Sequence, residues 1–193
     1  GNTGVWGYVN SFDGTKLSAS YGKGSQTANT DDAVSGTGHG SSWDFALTNA
    51  SLYEGVDVGV GYGKISNDNG DSLLGSSDTD EHMTAYVKYS MGPVTVGYQQ
   101  TDRQDNTQAG IDERAESMGI AINLMDGLSA SYNDREIEFE NPSAANVTED
   151  ATGIALAYTM GSAAIKLQHN EVTNNDGGTT NDENTEIALS LAF

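Results

Sequence analysis

Along most of the chain apolar side chains fall on every second position, and the positions between them carry Ser, Thr, Gly, Ala or a charge. A period of two belongs to an extended strand whose two faces meet different surroundings. Combined with the turn residues that interrupt it, the pattern predicts about eleven strands, near residues 5–10, 15–23, 42–50, 56–65, 82–91, 94–103, 115–124, 128–139, 151–160, 163–172 and 185–193. The connections alternate between short and long. Phe12-Asp13-Gly14, Leu52-Tyr53-Glu54-Gly55, Gly92-Pro93, Met125-Asp126-Gly127 and Gly161-Ser162 are short and hold residues that accept tight-turn geometry. The long ones, near 24–41, 66–81, 104–114, 140–150 and 173–184, are rich in Asn, Asp, Gly, Ser and Thr. In a sheet of consecutive hairpins this places every tight turn at one end and every long loop at the other.

The strands that leave the tight turns repeat one another. Leu17-Ser-Ala-Ser-Tyr21, Val58-Gly-Val-Gly-Tyr62, Val94-Thr-Val-Gly-Tyr98 and Leu128-Ser-Ala-Ser-Tyr132 share a form that Ile165-Lys-Leu-Gln-His169 follows more loosely, at a period of about 34 to 41 residues. First, third and fifth residues make the apolar face; in the four closer copies the second and fourth are Ser, Thr or Gly. The returning strands agree: Met83, Ala85, Val87, Tyr89 and Met91 oppose His82, Thr84, Tyr86, Lys88 and Ser90, and Ile154, Leu156, Tyr158 and Met160 oppose Gly153, Ala155, Ala157 and Thr159. A soluble sandwich fills its interior with large side chains. Here the second face is small or polar, as in an all-β antiparallel transmembrane β-barrel with lipid outside and water within. One strand breaks phase, because Tyr132 is even while Ile137 and Phe139 are odd; a bulge near Asp134, or an extension of the strand beyond the membrane, would account for it.

Composition is consistent with that architecture. Only 36% of the residues are hydrophobic and no run reaches the roughly 18 to 20 apolar residues of a membrane helix, whereas a barrel strand needs about five outward ones. Cysteine is absent, which removes disulfides and thiolate sites from consideration. Eight basic against twenty-eight acidic residues speak against a nucleic-acid partner. Of the acidic residues, Asp13, Glu54, Asp57 and Asp126 lie at the tight-turn end, and the rest lie in the long loops or the strand halves beside them.

The terminal Ile187-x-Leu189-x-Leu191-x-Phe193 pattern, the Leu-Ser-Ala-Ser-Tyr strands and Gly61-Tyr62-Gly63 together resemble the general-diffusion porins of Gram-negative outer membranes, over nearly the whole chain. The resemblance implies a cell outer-membrane location, a homotrimer, no cofactor, and passive diffusion of small hydrophilic solutes and ions. It identifies Ile187, Leu189, Leu191 and Phe193 with the signal that the barrel insertion machinery reads. Eleven strands cannot close an antiparallel barrel with both ends on one side, which takes an even number. The chain is therefore expected to be the C-terminal portion of a sixteen-stranded porin whose constriction loop lies upstream, with a ten-stranded barrel as the alternative.

Strand parity directs Lys16, Lys88, Lys166, Arg103 and Arg135 to the water-filled side, with Asp57 as an acidic counterpart, where wall charge biases ion passage. Trp43, Phe45, Tyr53, Tyr89 and Tyr158 lie near strand ends, where interfacial aromatic girdles form. The acidic loops face the outer side and its lipopolysaccharide; Asp68-Asn-Gly-Asp71 and Asp78-Thr-Asp-Glu81 lack a full calcium-loop spacing, so they are read as surface and no metal site is assigned. Two further readings stay open. Asp80-Glu81-His82 is similar to half of an omptin protease site, and a loop-dominated adhesin or receptor barrel would share the same strands.

Overall fold

The computed structural model describes residues 4–23, 41–67, 78–105, 112–142 and 144–191. Eleven strands form one sheet: β1 Val5–Phe12, β2 Thr15–Gly22, β3 Ser42–Asn49, β4 Val56–Asn67, β5 Asp78–Met91, β6 Val94–Asp105, β7 Asp112–Met125, β8 Leu128–Glu140, β9 Val147–Met160, β10 Ala163–Thr173 and β11 Asp182–Leu191. Each strand pairs antiparallel with its neighbours in sequence, from β1 through to β11. The tight turns have their expected chemistry. Asp13 and Gly14, with φ of 45° and 71°, make the two-residue left-handed turn that matches the twist of a hairpin, and Gly92, at φ 55°, precedes a proline whose φ is fixed. At the wider β3–β4 connection the Asn49 carboxamide accepts the N–H groups of Ser51 and Leu52, both at 2.8 Å, in place of the missing ladder.

Among the described residues no hydrophobic side chain is buried, and no second layer covers either face. Ile187 and Leu189, which a sandwich would bury, are 74% and 64% exposed. Along β9 the large residues Ile154, Leu156 and Tyr158 are exposed while Gly153, Ala155 and Ala157 between them are shielded. That contrast is expected where a sheet curls with its small-residue face inside, because side chains on the convex face splay apart. Register joins the large residues into a continuous outer band: Leu17 opposes Leu47, Leu47 opposes Val60, Val60 opposes Ala85, and farther along Ile120, Tyr132 and Ile154 lie side by side.

From β4 onward the strands run farther at their loop ends than the apolar pattern indicates. β5, β7 and β9 each have 14 residues, against about 9 to 11 needed to cross the hydrocarbon. Beyond the apolar band the outer face changes to charge, with Lys64 paired to Glu81 and Arg114 to Asp102, both at 2.8 Å. The phase break in β8 belongs to this region. Residues Asp134 to Phe139 stay in unbroken register with β9, so there is no bulge near Asp134; the one register shift of the β7–β8 pair lies between Asn123 and Met125, beside the turn. Ile137 and Phe139 simply occupy the inner face above the apolar band.

Candidate functional site: the inner wall

The inner face is built from the residues between the apolar ones. Asp57 at the turn end of β4 lies directly opposite Lys88 of β5, and the Lys88 ammonium sits 2.9 Å from its carboxylate. Tyr86, also inward, donates its hydroxyl to the same carboxylate at 3.0 Å. Its ring lies flat on the wall because Gly59 beneath it has no side chain; a methyl there would overlap Tyr86 Cε1. Both members of the ion pair are partly exposed, at 49% for Lys88 and 26% for Asp57, so the pair is wetted and changes its own surroundings more than it stabilises the sheet.

The remaining wall cations occupy separate places. Arg103 of β6 donates from Nη1 to Glu113 of β7 at 2.6 Å, and Arg135 of β8 donates from Nη2 to Glu149 of β9 at 2.6 Å, both toward the loop ends. Lys16, next to the first tight turn, and Lys166, flanked across the ladder by Ala157 and Ala188, have no carboxylate within ion-pair distance among the described residues. Further carboxylates share this face. Asp44 accepts the Ser20 hydroxyl at 2.9 Å, Glu186 accepts the Gln168 amide at 3.0 Å, and Asp80 and Asp105 oppose each other across β5 and β6. Parity thus brings the six charged residues of the sequence reading onto one face, in two tiers, and adds Tyr86, Glu113 and Glu149 as partners. Those partners are set by cross-strand register, which a single strand's alternation does not carry.

A family model described as Gram-negative porin matches residues 1–192. The chain belongs to the Gram-negative porins. This porin also shares its fold with solved outer-membrane barrels. OmpT of Vibrio cholerae superposes with a TM-score of 0.71 at 14% identity, covering 96% of this chain and 63% of that one. A trimeric, in-vitro folded form of the same Vibrio cholerae protein gives 0.69 at 16% identity, covering 97% and 64%. A refined porin structure gives 0.65 at 14% identity, covering 99% and 62%. The chain therefore spans a little under two thirds of the length of these structures. Comparison with curated proteins found no match. The porin is an outer-membrane β-barrel protein, and one face of its sheet carries the exposed apolar band that lipid demands.

On that face lie Trp43, Phe45, Tyr89 and Tyr158, with the Trp43 and Tyr62 rings 5.1 Å apart; Tyr53 lies in the β3–β4 connection, 69% exposed. Ile187, Leu189 and Leu191 line the outer face of β11, while Phe193 lies outside the described residues, as do 68–71 of the first acidic loop. Asp80 and His82 face inward, opposite Asp105 and Arg103, whereas Glu81 faces outward to Lys64 and to the Tyr62 hydroxyl. His169 faces outward, with Nδ1 2.8 Å from the Thr185 hydroxyl and Nε2 3.2 Å from Glu171.

Proposed function

We propose that the protein is a general-diffusion channel of the outer membrane, passing small hydrophilic solutes and ions down their gradients without cofactor, energy source or catalysis. The observation that carries this reading is the division of one uncovered sheet into an exposed large-apolar face and a face of Gly, Ala, Ser and paired charge. Lipid favours the first by burial of apolar area. The second can be satisfied by water, because its charged groups other than Glu149 remain partly exposed. The Asp57–Lys88 and Arg103–Glu113 pairs, with Lys16, Lys166 and the further carboxylates of this face, would give the lumen fixed charges that bias ions without binding them tightly.

The closed barrel, in this proposal, includes strands beyond the eleven described, since antiparallel closure with both ends on one side takes an even number. Homotrimer assembly is part of the proposal and draws on the trimeric Vibrio cholerae structure. Contact with lipopolysaccharide draws on the charged outer belt above the apolar band, and recognition by the insertion machinery on the outward Ile187, Leu189 and Leu191. Purified full-length protein added to planar bilayers is expected to give stable, ohmic single-channel steps and to make liposomes permeable to small sugars. Folded protein that inserts yet gives no steps would overturn the channel. A barrel enzyme has one observation in its favour, the Thr185–His169–Glu171 row; hydrolysis of a lipid ester that disappears in His169→Ala would replace the channel reading with that one.

A further inference from the structure

The inner face of β8 and β9 at their loop ends is not bare. The segment joining β10 to β11, through the short turn Asn175–Gly177, folds back over it. Glu149 is the only charged residue buried among those described, 4% exposed. Its two carboxylate oxygens are both engaged: Oε1 accepts from Arg135 at 2.6 Å and Oε2 accepts the backbone N–H of Asp176 at 2.7 Å. The Asn174 amide donates to the Thr148 carbonyl at 2.8 Å, and the Asn175 N–H to the Thr180 carbonyl, also at 2.8 Å. Gly177 lies against the Phe139 ring: a methyl at Gly177 would be 3.1 Å from Phe139 Cδ2. Asn174 and Asp176 hold left-handed φ values of 53° and 56°, a region that Asn and Asp enter more readily than other residues with side chains, so the turn forms without strain.

We propose that residues 174–181 form a fixed ledge across the external mouth of the channel, fastened to the wall by Glu149, and that this ledge limits the size of solute admitted on the β8–β9 side. The inference rests on the channel reading. It explains why the inner face turns apolar at Phe139, since the ring is a seat for the turn. It also gives Arg135 a different task from the other wall cations. Its charge is consumed in holding a buried carboxylate, and the charge the ledge presents to entering solutes is the exposed carboxylate of Asp176.

The test uses full-length protein in planar bilayers and in liposomes with neutral polymers of graded size. Glu149→Ala removes the fastening, and is expected to raise open-channel current noise and shift the polymer cut-off upward. A second variant keeps Glu149 and replaces residues 175–180 by a two-residue turn; it is expected to raise conductance without added noise, and it keeps the proposal testable where Glu149→Ala does not fold. Glu136→Ala, on the outer face of β8 opposite Asp150 and at similar height, is the control and should match wild type. If the shortened variant conducts and excludes polymers as wild type does, the ledge is wrong while the channel stands. Wild-type protein that forms no channel would remove the channel reading instead.

Discussion

The Asp57–Lys88 pair offers a perturbation whose sign is fixed by the structure. Asp57→Asn leaves Lys88 alone and takes the local charge from zero to plus one; Lys88→Gln takes it to minus one. For an ion passing about 6 Å away through water, a unit charge is worth about 0.7 kcal/mol before screening. A Debye length of about 10 Å at 0.1 M reduces this to about 0.4 kcal/mol, roughly a twofold change in local ion concentration. Because cation and anion respond oppositely, the ratio of their concentrations changes about fourfold at that level of the pore. The assay is the zero-current potential of the full-length channel across a salt gradient. Asp57→Asn should move it toward anion preference and Lys88→Gln toward cation preference, both moving less at 1 M salt, where the screening length is about 3 Å. Stability should change little, by at most about 1 kcal/mol, because the pair is half exposed. Lys64→Gln, which breaks an outer-face pair, should leave the potential unmoved. Shifts in the same direction for Asp57→Asn and Lys88→Gln, or a shift for Lys64→Gln as large as theirs, would refute the assignment of Asp57 and Lys88 to the lumen.

Three further outcomes are expected. Ile154→Arg, on the outer face, should destabilise the folded barrel in vesicles by about 2 to 4 kcal/mol by urea titration, whereas Ala155→Arg next to it, on the inner face, should cost far less; the opposite order would mean the faces are exchanged. Gly59→Ala should lift the Tyr86 ring off the wall and break its hydrogen bond to Asp57, lowering stability by about 1 to 2 kcal/mol and changing the tyrosine near-ultraviolet signal. Gly153→Ala should cost less, since the groups it meets are the ends of the Asn133 and Asn170 side chains, which can turn away; equal losses would contradict that distinction.

The sequence shows most about this fold where lipid imposes a pattern. Ile154, Leu156, Tyr158 and Met160 announce both a strand and its face, because hydrocarbon demands apolar contact at every outward position. Above the band that demand ends, and the ladder continues through residues such as Asp80 and Glu81 of β5 and Asp112 and Glu113 of β7, which look like loop in a linear reading. The starts of β5, β7, β9 and β11 are therefore read three or four residues too late. The inward charges were legible by parity, but their partners were not, since Glu113 and Glu149 meet Arg103 and Arg135 only through register. Ile137 and Phe139 did signal something in the sequence. Their parity is out of phase because both occupy the inner face above the apolar band, where Phe139 meets the turn at Gly177.

The strictly sequential strand order has a consequence for how such a chain can change over time. Among the described residues each strand pairs only with the ones before and after it, so duplicating or excising a hairpin requires no rethreading of the others. With strands about 4.8 Å apart, each such event would alter the circumference of the wall by roughly 10 Å before tilt is counted. Bore size in this architecture is thus inherited in whole-hairpin steps, and finer adjustment falls to the side chains and loops that project inward.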